Sequence, residues 1–167
     1  ILLDCLGKTR EIPFLPNLES LVIRDSYVEK SKSFTNFSNL PNLKNLELLS
    51  LYNTSNNNGR WMTSEFDFTD IYKLSKLNYL KLGSINPIYL PPLKTLKNLE
   101  ELDISLKLIT ADMYSDDGNV DENITDESFE FLKSLQKLRK LKLSLKLPQY
   151  HSSVKGPKLL SFVKKSL

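Results

Sequence analysis

Between Leu93 and Leu108 the chain reads LKTLKNLEELDISLKL. Leucine recurs at 93, 96, 99 and 102, and Ile104 follows after a step of two. An α-helix mixes steps of three and four, and a half-buried strand keeps to steps of two. A step of three keeps apolar side chains on one side of a 3₁₀-like segment, where residues i and i+3 nearly eclipse. A closing step of two points both side chains to one face of a strand. The pattern predicts a short helical segment, a turn and a short strand.

The same pattern occurs four more times. It runs through Ile12, Leu15, Leu18, Leu21 and Ile23, then through Phe37, Leu40, Leu43, Leu46 and Leu48. It returns at Ile71, Leu74, Leu77, Leu80 and Leu82, and at Leu132, Leu135, Leu138, Leu141 and Leu143, with Phe129 one step earlier. From one predicted strand to the next the spacings are 25, 34, 22 and 39 residues. One such unit cannot bury its own leucine face, but a stack of units buries a continuous one. The two long spacings hold insertions, placed at residues 52–68 and 110–127.

The segments Leu99-Glu-Glu-Leu102-Asp-Ile104, Leu43-Lys-Asn-Leu46-Glu-Leu48 and Leu138-Arg-Lys-Leu141-Lys-Leu143 resemble the L-x-x-L-x-L core of the leucine-rich repeat superfamily. The resemblance implies an α/β solenoid or horseshoe, with parallel strands on the concave face and short helical segments on the convex face. About five irregular repeats then cover residues 12–146, with a partial repeat or cap at 1–11 and a C-terminal cap at 147–167. Within that cap, Leu159, Leu160, Val163 and Leu167 lie at helical spacing beyond the Gly156-Pro157 turn. Lys155, Lys158, Lys164 and Lys165 offer the alternative of a basic partner-binding helix.

The chain departs from the family at one place. Members often carry Asn or Cys three residues after L-x-L, where the side chain bonds backbone groups in a ladder. Here that slot holds Ser26, Leu51, Ile85, Lys107 and Lys146, so the turn-side backbone needs other partners. The irregularity resembles the repeats of NLR-type immune receptors and ubiquitin-ligase receptor subunits. The cysteine-rich caps of the family's extracellular members are missing, and the expected setting is cytoplasmic (intracellular).

Composition narrows the class without naming a partner. The chain has 167 residues, 40% hydrophobic and 26% charged, which suits one globular domain. A net charge of +3 is too mild to argue for nucleic acid or a membrane surface. Cys5 is the single cysteine, so no disulfide framework forms within the chain. No apolar run approaches the ~20 residues of a membrane span. The first residue is Ile1 rather than Met, as in a fragment or a processed product. Three Asn-x-Ser/Thr triplets, at Asn36, Asn53 and Asn123, carry little weight in a chain rich in these residues.

Two insertions hold candidate chemistry. The first contains Arg60, Trp61 and Met62, residue types enriched in binding hot spots. Trp61 is a candidate loop anchor; the structural alternative packs it on the solenoid's outer side with Phe66 and Phe68. The second holds seven acidic residues and no Lys or Arg between Thr110 and Glu127. An EF-hand frame with Gly118 at position six puts Met113 at one and Ile124 at twelve, so that frame fails. The run reads as a solvated, mobile acidic loop that ends by capping a helix near Ser128 through Thr125 or Asp126.

Residues between the buried leucines point outward on the strands. One outward column is Ser20, Asn45, Tyr79, Glu101 and Lys140, and the next is Val22, Glu47, Lys81, Asp103 and Lys142. Asn45, Glu47, Tyr79, Lys81, Glu101, Asp103, Lys140 and Lys142 are the candidate partner-binding residues. Tyr79 is the best single anchor, because it offers a large area and one hydroxyl at low entropic cost. The structural alternative is cross-strand charge pairing within the protein.

Nothing in the sequence resembles an active site. The single His151 and Cys5 fall at opposite ends of the expected solenoid, too far apart for a base and a nucleophile. No metal-ligand spacing and no phosphate-binding glycine loop occurs, so neither metal nor other cofactor is expected. The expected function is protein or peptide recognition on the concave face, without enzymatic activity. The alternative is a recognition or regulatory region of a larger protein, such as an NLR-type immune sensor or a ubiquitin ligase substrate receptor.

Overall fold

The computed structural model describes residues 2–4, 12–24, 27–28, 37–49, 52–53, 69–85, 93–107 and 126–146. Six strands form one sheet: β1 (Leu2–Asp4), β2 (Ser20–Arg24), β4 (Asn45–Leu49), β6 (Tyr79–Ile85), β7 (Glu101–Lys107) and β8 (Lys140–Lys146), side by side in chain order and all parallel. Two short strands, β3 (Tyr27–Val28) and β5 (Tyr52–Asn53), pair parallel in a second sheet. Before β4, β6, β7 and β8 lie 3₁₀ segments at Phe37–Asn39, Thr69–Lys73, Leu93–Thr95 and Asp126–Ser134. Parallel strands joined by these crossovers, one repeat after another, make a leucine-rich repeat solenoid.

Backbone hydrogen bonds explain the step of three. The N–H of Leu96 donates to Leu93 O at 3.0 Å, and that of Leu99 to Leu96 O at 3.0 Å. The same linked turns join Phe37, Leu40 and Leu43, then Ile71, Leu74 and Leu77, then Leu132, Leu135 and Leu138. Each i→i+3 bond eclipses one leucine over the last, so a single apolar edge faces inward. The chain then extends, and the next two apolar residues enter the core from the strand.

Neighbouring repeats are tied at the strand entrance. Glu19 O accepts from the N–H groups of Lys44 and Asn45 at 2.8 and 3.0 Å. Lys44 O does the same for Asn78 and Tyr79, Asn78 O for Glu100 and Glu101, and Glu100 O for Arg139 and Lys140. One carbonyl per repeat thus satisfies two donors that would otherwise be stranded where the turn becomes a strand.

Of the 25 repeat positions, 20 are buried, and Leu106 and Phe129 complete the buried apolar core. The other five, Leu15, Leu18, Leu138, Leu141 and Leu143, are half-buried against it. They belong to the first and last of the five repeats. The equivalent leucines of the three middle repeats are fully enclosed.

Two local expectations need correction. Tyr52 and Asn53 are strand β5, paired with Tyr27 and Val28, rather than the opening of a loop. Their offset of 25 residues equals that between β2 and β4, so β3–β5 is a second rung between the same two repeats. The last 3₁₀ segment begins at Asp126, two residues before the expected start at Ser128. Trp61 and its loop, residues 110–125, the cap expected at 147–167, Cys5 and His151 lie outside the described residues.

Candidate partner-binding face

The leucines on one face of the sheet are sealed against the 3₁₀ segments, so the alternate strand residues make the other, open face. Its two central columns run straight across the strands. Ser20, Asn45, Tyr79, Glu101 and Lys140 are successive register partners, as are Val22, Glu47, Lys81, Asp103 and Lys142. The eight candidate residues are thus brought together on one surface.

Charges on this surface pair across strands. Lys140 Nζ donates to Glu101 Oε2 at 2.9 Å, and Lys142 Nζ to Asp103 Oδ2 at 3.1 Å. Lys81 lies 3.8 Å from Glu47 Oε2, a looser contact. At the strand entrances, Lys44 bonds Glu19 at 2.6 Å, and Arg139 approaches Glu100 to 3.8 Å. The Glu101 hydrogen bond, and then its charge, hold the Lys140 ammonium above its ordinary pKa.

Tyr79 sits among the acids of this face. Its hydroxyl lies 3.5 Å from Glu47 Oε1, at the outer limit of hydrogen bonding. Partial burial raises its pKa most, and the charges of Glu47 and Asp103, the Glu47 contact and Glu101 add to the rise. The phenol therefore stays protonated and available as a donor over the whole neutral range. Beyond it on the same strand, Gly83 lets a neighbour fold down. A Cβ there would lie 2.9 Å from Leu49 Cδ2. Leu49 and Val22, both half-buried, form an apolar side to the face, while β7 and β8 form a charged side.

A side-chain ladder between the repeats escaped sequence reasoning. The slot just before the third apolar position of each unit holds Asn17, Asn42, Lys76, Asn98 and Lys137. Asn42 Nδ2 donates to Pro16 O at 2.7 Å, and Asn98 Nδ2 to Ser75 O at 2.7 Å. Lys76 Nζ donates to Asn42 Oδ1, and Lys137 Nζ to Asn98 Oδ1. Asparagine reaches back to a carbonyl, and the next lysine reaches back to the asparagine. The slot where leucine-rich repeat proteins often carry asparagine holds none here, and this turn carries a ladder of Asn and Lys instead. Aligning the repeats in register would have revealed the slot, since it holds only Asn and Lys.

Among the described residues, no group of three or more His, Cys, Asp or Glu side chains could hold a metal ion. Among the same residues, no helix is long and apolar enough to cross a membrane. The arrangement offers what recognition needs: an aromatic donor, an apolar flank and ordered charges.

No protein-family model and no curated protein matches the chain. Among solved structures it is similar to the crystal structure of an internalin C2 from Listeria monocytogenes str. 4b F2365, at 22% identity and a TM-score of 0.43. The match covers 80% of this chain and 55% of that one, so the chain spans about half the length of its structural neighbour.

Proposed function

We propose that this solenoid is a protein-recognition module, and that a protein or peptide partner binds its open sheet face around Tyr79. The observation that carries the reading is the surface around this residue. A half-buried tyrosine stands between an apolar flank, Val22 and Leu49, and a field of ordered charge pairs. Interfaces concentrate their energy in such central aromatic residues and surround them with polar groups. The charge pairs also stabilise the sheet, and this does not compete with binding: rim charges steer partners while holding the surface in shape. An intracellular setting belongs to the same reading and rests on the single cysteine.

The test is affinity capture from source-cell lysate with the wild type and with a Tyr79→Ala/Asp103→Lys variant, read by mass spectrometry. Circular dichroism and a thermal melt show that the variant is folded. A partner held by the wild type and lost by the folded variant supports the open face. Equal capture by both moves the site off this face.

A further inference from the structure

Two ion pairs between β7 and β8, and a third at their entrances, share an asymmetry. In each the cation is the exposed member and the carboxylate the recessed one: Arg139 78% against Glu100 38%, Lys140 70% against Glu101 44%, Lys142 68% against Asp103 19%. The pairs cancel charge within the sheet but present ammonium and guanidinium groups to an approaching molecule. The sequence has the same bias on a larger scale. Residues 131–167 hold ten of the 23 Lys and Arg and none of the 20 Asp and Glu. Residues 1–130 therefore carry 13 cationic and 20 acidic side chains, a net −7, against +10 in the remainder.

We propose that the β8 end of the open face receives an acidic segment of a protein partner, with Asp or Glu side chains set over Arg139, Lys140 and Lys142. The proposal rests on the recognition face described above and names the chemistry of its ligand. Strands lie ~4.8 Å apart, so Tyr79 on β6 is ~10 Å from β8. An extended segment crossing the strands covers that distance in about three residues. The ligand pattern is thus a pair of acids with an apolar or aromatic residue about three positions away.

A short acidic segment fits this surface better than a long polyanion. Duplex DNA carries one charge per ~1.7 Å and would extend past β8 onto neighbouring strands. There it would meet Glu100, Glu101, Asp103 and Glu47, within a part of the chain that is net acidic. A protein segment places carboxylates over β8 and uncharged groups beyond it.

The experiment selects a displayed random peptide library on the full chain. The best peptides are then measured against the wild type, the Arg139→Gln/Lys140→Gln/Lys142→Gln variant, the Lys140→Arg/Lys142→Arg variant and Tyr79→Ala. Selected peptides should be enriched in Asp and Glu with the spacing given. The glutamine variant should bind them about tenfold more weakly at low salt, from three rim charges lost together. The arginine variant should retain binding, and Tyr79→Ala should weaken it. If the triple variant does not fold, Lys140→Gln and Lys142→Gln singly should each give about a twofold loss. Non-acidic peptides, or acidic ones indifferent to the glutamine changes but lost with Tyr79→Ala, overturn this inference and leave the recognition face standing. Indifference to every variant overturns both. A single-stranded oligonucleotide or a phosphatidylserine vesicle that binds more tightly than any selected peptide, through the same cations, also overturns it.

Discussion

At the residue scale, Tyr79 joins the sheet's chemistry to its proposed use. Its raised pKa means that the folded chain holds the phenolic proton more tightly than the unfolded chain does. That contribution to stability is complete below the unfolded value of about 10 and is lost as pH rises through the folded value. The difference between ultraviolet titrations of the wild type and of Tyr79→Phe isolates this phenol. Its midpoint should lie above that of an ordinary tyrosine, and Glu47→Gln should bring it down; a midpoint at the ordinary value contradicts the geometry. Asn98 makes a second case. Truncating it to Ala removes the donor to Ser75 O and the acceptor of Lys137 at once. The expected loss is about 0.5–1.5 kcal/mol, measured by urea denaturation, because both partners still reach water. Gly83→Ala should change stability by less than about 1 kcal/mol, since the atom it meets is the end of the Leu49 side chain, which can turn aside.

At the element scale, each repeat is a turn of 3₁₀ followed by a strand, and its leucines matter according to its place in the stack. Leu82 on β6 is fully buried, whereas Leu143 in the equivalent slot of β8 is half-buried. Leu82→Ala should cost about 2–5 kcal/mol, and Leu143→Ala well under that, in paired denaturation curves. Equal losses would mean that β8 is enclosed as tightly as the centre. The strands and their register were legible in the sequence for a physical reason. A period of two fixes which residues face inward, and the leucines mark that face in every unit, so Tyr79, Lys81, Glu101 and Asp103 fall into columns by counting. The second rung was less legible. Tyr27 and Tyr52 share a 25-residue offset, but two-residue strands carry no period to read. The asparagine–lysine ladder was hidden because each of its bonds joins one repeat to the next, and no single repeat displays it. The choice of partner also depends on side-chain reach. Asp103 lies between two lysines by register, and its ion pair is with Lys142, while Lys81 turns toward Glu47.

At the scale of the whole molecule, the solenoid is held by contacts between neighbours, and among the described residues no single element crosses all the repeats. Stability in such a stack is a sum of repeat and interface contributions, so opening begins at ends and spreads inward. Amide hydrogen exchange should be slowest in β6 and β7, which are hydrogen-bonded on both sides to strands of the main sheet, and faster in β1 and β8. Uniform protection across the six strands would show instead a single cooperative unit. Charge is also divided along the chain: residues 1–130 carry a net −7 and residues 131–167 a net +10, a division that the modest total of +3 conceals. Added salt screens exposed charges, so the β7–β8 contacts should weaken with ionic strength more than the leucine core does.

The shared carbonyl at each strand entrance makes the molecule a staircase whose treads are interchangeable in shape. Cutting out one whole tread, residues 79–100, joins Asn78 to Glu101 and leaves the leucine spacing of the following strand unbroken. The risers still match, so the shortened flight should still form. Its treads, however, are also numbered by charge. The column Glu47, Lys81, Asp103, Lys142 alternates in sign at every step, and removing Lys81 sets Glu47 beside Asp103. Leucine spacing permits a tread to be lifted out, while the alternating charges record the order in which the treads belong.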